Sequence, residues 1–300
     1  MAKNYLTVYG EVLFDCFPEG EKVLGGAPFN VAWHLQAFGQ SPHFISRVGE
    51  DAEGETIRRA MTEWGMNTDG LQQDSRHPTG RVIVSLEKGE PSYNIVANSA
   101  YDFIDSALLK GETCCMLYHG TLGLRSETAR SALAQIKSQG SQRIFMDVNL
   151  RTPWWRRDEV LEWVAQADWV KLNQDELNQL HGHSPELLTA AADFKAIHGL
   201  QGLIVTRGAE GAIALQDALP PLDVLPEKHS DTVDTVGAGD AFSSVLLLGL
   251  ILEWPLQTTL ERAQAFASAI VGQRGATVAS PSFYHEFLDQ WDLLPNDLER

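Results

Sequence analysis

Hydrophobic and polar positions follow two rhythms along this chain, and the rhythms take turns. Short apolar runs of strand character fall at 6–9, 44–48, 114–118, 144–148, 203–206 and 212–215. Between them, apolar residues recur at the three-to-four spacing of a helix face, at 29–38, 53–64, 127–136, 161–165, 177–180 and 187–197. Gly39 and Gly65 end the first two of these, as glycine does just past a helix. Two late helices, 242–252 and 260–271, complete the series. Such alternation predicts an α/β fold: a doubly wound, mostly parallel sheet with helices on both faces.

Two stretches break the alternation. Residues 12–24 and 81–97 read as β-ribbons with no helix pattern between their strands. In the second, β-rich segments at 81–86 and 92–96 flank Lys88, Gly89 and Glu90, a hairpin turn by composition. The two ribbons are expected to form a small separate sheet. An exposed ribbon has unpaired edges and an apolar face, here Val82, Val84, Ile95 and Val96, that is better covered. That predicts a homodimer built through this sheet. No linker, internal repeat or low-complexity tract divides the 300 residues, so a single domain is expected.

Charge narrows the partners. A net charge of −17 argues against nucleic acid and against anionic membrane surfaces. It leaves phosphate ligands open, because a divalent cation and a few local cations decide those. The three cysteines form no CxxC pair and no even framework, so neither disulfides nor a zinc site is expected. No signal-type h-region and no 18-residue apolar span occurs, which makes the cytoplasm the expected location.

The segment richest in chemistry is DTVGAGDAF at 234–242, followed by an apolar run. Gly237 and Gly239 carry no Cβ, so backbone there can approach a ligand closely. The run after them reads as a buried helix, whose N-terminal N–H groups at Gly237, Ala238 and Gly239 favour an anion. Asp240 lies in the same turn. A carboxylate beside an anion hole suits deprotonation of a hydroxyl while phosphate charge is stabilised. An isolated Asp here could equally just complement the helix dipole.

This turn resembles the second signature of the ribokinase-like (PfkB) carbohydrate kinases. The first signature resembles LGGAPFNVAWHLQAFG at 24–39, and GEVLFD at 10–15 with DVNLR at 147–151 is similar to the bacterial fructokinase branch. The resemblance covers about Tyr5 to about Ala279. It implies a ribokinase-like fold whose small sheet, 12–24 with 81–97, is a lid over the sugar. It implies ATP-dependent phosphorylation of a sugar hydroxyl, with fructose the leading acceptor and Mg²⁺ required. Asp240 would be the base. Asp15, Asn30 and the backbone at Gly25 and Gly26 would hold the sugar, although Asn30 could instead cap the following helix. Asn173 and Glu176 resemble an N-x-x-E element that organises Mg²⁺ and phosphate, and they also spell a capping box. Thr206, Gly208 and Gly211 resemble a T-x-G-x-x-G element at the nucleotide. Asp234 and the carbonyl of Val236 match positions that hold a monovalent cation, K⁺, in many relatives.

Arg151 could meet phosphate oxygens, for which its planar fork is suited. Where ribokinase has an acidic residue after the middle strand, this chain reads His119, Gly120 and Thr121, which weakens ribose as a substrate. The alternatives are another ketose, a nucleoside, 2-keto-3-deoxygluconate, or a sugar sensor without catalysis. No GxxxxGK[ST] occurs, which excludes P-loop chemistry.

Overall fold

The computed structural model describes residues 5–87, 90–109, 114–140, 143–226 and 236–293. The chain opens with strand β1 (Tyr5–Tyr9), leaves the main body for β2 (Leu13–Cys16) and β3 (Lys22–Gly25), and returns through helix α1 (Ala27–Ala37) to β4 (His43–Gly49). Helix α2 (Ala52–Glu63) leads to β5 (Leu71–Asp74), then to the hairpin strands β6 (Gly80–Glu87) and β7 (Glu90–Ile95). Lys88 and Gly89 of the expected turn lie outside the described residues. An alternating series follows: β8 (Cys114–His119), α3 (Glu127–Ser138), β9 (Arg143–Asp147), α4 (Arg157–Val164), β10 (Trp169–Asn173), α5 (Gln174–His181) and α6 (Leu187–His198). Strands β11 (Gly202–Thr206), β12 (Ala212–Gln216) and β13 (Leu222–Val224) precede three helices, α7 (Ala238–Ile251), α8 (Leu256–Val271) and α9 (Pro281–Gln290).

Nine strands form one sheet in the order β13-β12-β11-β10-β9-β8-β1-β4-β5. It is parallel from β11 to β5, and β12 and β13 are antiparallel additions at one edge. From β1, the chain winds first toward β4 and β5, then jumps to β8 and winds the other way. That reversal opens a crevice at the carboxyl ends of the strands, where ligands bind in sheets of this kind. Successive side chains serve opposite faces. Ile204 and Ala214 join the core on the α7 and α8 face, while Leu203, Val205, Ile213 and Leu215 join the core on the face covered by α5 and α6.

The ribbons form a separate four-stranded sheet, β3-β2-β6-β7. Glu53 of α2 holds its near edge by ion pairs to Lys22 at 2.5 Å and Arg81. At its far end the Arg125 guanidinium, 4% exposed, binds both Asp102 oxygens and the Val96 carbonyl, stacked against Tyr101 and Trp154. The expected dimer face needs correction. Val82, Val84 and Ile95 are already buried within the chain, Val82 and Ile95 against Leu13, Tyr101 and Leu122. The strands' other face carries the exposed Ile83.

Candidate active site

One cleft lies over the carboxyl ends of the main sheet, beneath the small sheet, with a volume of about 460 Å³. It brings together most of the residues singled out in the sequence: Asp15, Gly26, Asn30, Arg151, Asn173, Glu176, Thr206, Val236, Gly237, Gly239 and Asp240.

The anion turn is shaped by its glycines. Gly237 caps α7 with φ +83°, and a Cβ there would lie 2.4 Å from the Ala276 Cα. Only glycine combines that backbone with that approach. The helix starts at Ala238, four residues before the expected start, so Ala238, Gly239 and Asp240 form its first turn. Asp240 Oδ2 accepts a hydrogen bond from Asn30 Nδ2 at 2.8 Å. That bond ties α7 to α1 across the cleft floor and leaves Asn30 Oδ1 buried without a partner. Burial pushes the Asp240 carboxyl up to about 6, against the pull of the Asn30 bond. Gly26 has φ +111°, and a Cβ on it would lie 2.7 Å from the Glu11 carbonyl oxygen. A Cβ on Gly25 would lie 3.8 Å from both Asn30 Oδ1 and Asp15 Oδ2, so that glycine flanks the pair without lining the cleft. Burial also raises the Asp15 carboxyl, and Arg151 opposes the rise.

Across the cleft, Asn173 and Glu176 form a complete capping box at the start of α5. Glu176 accepts from the Asn173 N–H at 2.8 Å and the Leu150 N–H at 2.7 Å. Burial raises its carboxyl while these bonds hold it down. Thr206 ends β11 in the cleft wall. Gly208 and Gly211 do not line the cleft. Gly211, with φ +82°, lies where a Cβ would collide with the Val224 carbonyl, so it serves the β11–β12 turn. Val236 lines the cleft, and Asp234 lies outside the described residues.

Four residues of the cleft region carry no role of their own in the sequence reading: Glu11 and Asp147, which lie inside its GEVLFD and DVNLR motifs, and Lys171 and Ser243. Asp147 Oδ2 accepts from Lys171 Nζ at 2.8 Å and from Ser243 Oγ at 2.7 Å. Both charged groups are buried. Lys171 Nζ comes within 3.6 Å of where a Gly239 Cβ would stand, so a cation lies under the anion turn. A lysine inside the otherwise apolar strand WVKLN was the available signal. Arg151 is exposed, and its charge acts on Glu11, Asp15 and Asp240, which puts it at the carboxyl-lined end of the cleft. Among the described residues no cluster of three His, Cys, Asp or Glu could cage a metal.

Residues 5–282 match the pfkB family carbohydrate kinase. The fructokinase of Klebsiella pneumoniae is 31% identical over 297 residues, which is 91% of this chain and 95% of that one. The fructokinase of Escherichia coli is 29% identical with the same coverage. Among solved structures, the aminoimidazole riboside kinase of Salmonella enterica, bound to aminoimidazole riboside and an ATP analog, aligns with a TM-score of 0.82 at 27% identity. It covers 95% of this chain and 100% of its own. The Vibrio cholerae fructokinase with fructose, ADP and calcium aligns at 0.78 and 27%, covering 94% and 98%. The crevice at the strand ends, the glycine-shaped helix N-terminus and the carboxylate beside it thus occur in a chain that belongs to the pfkB family of carbohydrate kinases and is an ATP-dependent sugar kinase.

Proposed function

We propose that the acceptor is fructose and that the reaction transfers the γ-phosphoryl group of ATP to one of its hydroxyls. The match to fructokinases over 91% of the chain carries fructose, and the charge of the acceptor end carries the preference for a neutral acceptor. Glu11, Asp15 and Asp240 line that end, with Arg151 beside them. Carboxyl groups suit the hydroxyls of a neutral sugar. An acceptor such as 2-keto-3-deoxygluconate would bring a further carboxylate against them.

In this reading Asp240 takes the hydroxyl proton as the oxygen attacks phosphorus. The N–H groups at Gly237, Ala238 and Gly239 meet the charge that develops on the transferred group. Lys171, fixed by Asp147, adds a cation beneath them. Phosphoryl transfer asks mainly for such positioning and charge stabilisation. Asp15, Asn30 and the Gly26 backbone hold the sugar, with Gly25 behind the pair. Asn173 and Glu176 hold Mg²⁺ through water, and Mg²⁺ supplies charge neutralisation at the phosphates. Thr206 flanks the nucleotide, and the carbonyl of Val236, with Asp234, is the K⁺ position. The whole chain is one kinase domain, with the four-stranded sheet as a lid that excludes water on closing. The outermost strands β3 and β7, with the exposed Ile83, form the contact of a homodimer. Three free cysteines suit the reducing cytoplasm.

A coupled kinase assay across hexoses, ketoses, sugar acids and nucleosides tests the acceptor. Fructose should give the highest kcat/KM. A value below that of several unrelated sugars overturns fructose and leaves the kinase class intact. A light-scattering mass of one chain at micromolar concentration removes the dimer.

A further inference from the structure

Glu11 lies just past Gly10 at the end of β1, on the link that carries the chain from the main sheet into the small sheet. It is 3% exposed. A carboxyl is kept at that depth only where something satisfies it. Its Oε2 has no hydrogen-bond partner in the protein. Glu11 nevertheless lines the same cleft as Asp15, Asn30 and Asp240.

Its surroundings hold it there. A Cβ on Gly123 would come within 3.2 Å of Oε2, so the glycine makes room for the carboxyl. The Glu11 backbone is itself clasped by Gly26. Asp240 and Arg151 act on its charge from the cleft, and Arg125 acts from behind. Burial pushes the carboxyl up to about 7. Near neutrality it can therefore both donate and accept a hydrogen bond.

Asn30 Oδ1 is buried without a partner in the same wall. The facing groups Asp147, Lys171 and Glu176 are all bonded. Two orphaned acceptors on one side of a cleft mark where polar ligand atoms arrive. We propose that Glu11 is an acceptor-binding residue that sets specificity: its carboxyl hydrogen-bonds one hydroxyl of the polyol seated among Asp15, Asn30 and Asp240. This rests on the sugar-kinase reading but on no particular sugar. A site built to pair a hydroxyl rejects the analogue lacking it, because its own buried group is then left bare.

A competing arrangement turns Oε2 toward the Tyr101 hydroxyl and Arg125 Nη1, which are also buried without partners. Glu11 would then serve only the attachment of the small sheet. Monodeoxy analogues of the best acceptor separate the two. In the wild type, one deoxy position should lose on the order of 10²-fold or more in kcat/KM. In Glu11→Leu the penalty at that one position should shrink to about threefold or less, as the site no longer presents a group to be stranded. Penalties at the other positions, and the KM for ATP, should persist. An unchanged set of deoxy penalties, with or without a lower Tm, overturns the proposal. Should Glu11→Leu fail to fold, the isosteric Glu11→Gln carries the same test, and the penalty at that position must still change. If fructose fails the acceptor panel while the single penalty disappears in the variant, fructose falls and the role of Glu11 stands.

Discussion

The two sides of the cleft are built on opposite terms. On the side assigned to the nucleotide, polar groups are satisfied before any ligand arrives. Asp147 is bonded by Lys171 and Ser243, and Glu176 is bonded by two backbone N–H groups. On the side assigned to the acceptor, Glu11 Oε2 and Asn30 Oδ1 have no partner, and burial raises the carboxyls of Glu11, Asp15 and Asp240. An unmatched buried polar group costs about 1–3 kcal/mol. The first side therefore belongs to the folded scaffold, while the second is held under strain that a ligand relieves. Variants on the two sides should move stability in opposite directions.

Asp240→Asn should show the largest effect. Asn is nearly isosteric and its amide can still pair with Asn30. It cannot accept the hydroxyl proton, so kcat should fall by about 10²–10⁴-fold. Stability should rise. The wild-type carboxyl is held at about 6 against its ordinary 3.8. It is only half-buried at the mouth of α7, and solvent there screens part of the penalty. Relief of about 1–3 kcal/mol is expected. Steady-state kinetics and a melting curve on one protein give both numbers. Near-normal kcat would reduce Asp240 to a partner of the helix dipole.

Lys171→Met tests the opposite side. It strands Asp147 as a buried carboxylate, which costs about 3–5 kcal/mol when one member of such a pair is removed. The double variant Asp147→Asn with Lys171→Met should recover a large part of that loss, because the stranded charge is gone. A Tm loss no greater than that of an exposed pair would show that this side is not part of the scaffold.

Much of this contrast was legible in the sequence, and its limits have physical causes. The long apolar run of α7 announces a buried helix, and the glycines before it announce the anion turn. The ribbon strands fall within a residue or two of where β-rich composition puts them. Their orientation could not be read. Alternation says that Val82, Val84 and Ile95 share a face, but Leu13, Tyr101 and Leu122, which cover Val82 and Ile95, are distant in sequence. Strand β5 reads LQQD and carries no apolar pattern. It holds because Gln72 bonds the backbone of Asp105 from both ends of its amide. Lys171 stands in an apolar strand, yet its partner lies 24 residues away. Asn173 and Glu176 satisfy the capping reading in full, and Gly211 shapes the β11–β12 turn.

Glu176→Gln sharpens the comparison with a smaller effect. One oxygen that accepts from Leu150 or Asn173 becomes an amide N–H₂ facing a donor. The mismatch should cost about 1–3 kcal/mol, less than the stranding of Asp147. If Glu176 holds Mg²⁺ through water, the Mg²⁺ concentration for half-maximal activity should also rise. A Tm loss with an unshifted Mg²⁺ dependence would confine Glu176 to capping α5.

The smallest effect is a pH limb that sets activity against stability. Burial pushes the Asp240 carboxyl up to about 6, with Asn30 opposing through its hydrogen bond. A general base works only when ionised, so kcat/KM for the acceptor should fall below about pH 6, approaching tenfold per unit. Stability runs the other way. The folded carboxyl holds its proton more tightly than an unfolded Asp, so its contribution is fully present below about pH 4 and is lost as pH rises through about 6. Glu11, pushed up to about 7 by burial, adds a loss of the same sign at higher pH. The kinase should therefore be least active where these two acids stabilise it most. A pH–rate profile at saturating ATP gives the limb. Melting temperatures of the wild type and Asp240→Asn at about pH 5 and about pH 7.5 give the linkage, and the variant should show the smaller difference between the two. An activity limb centred near 4, with equal melting differences in both proteins, would make Asp240 an ordinary solvated carboxylate and erase the contrast between the two sides of the cleft.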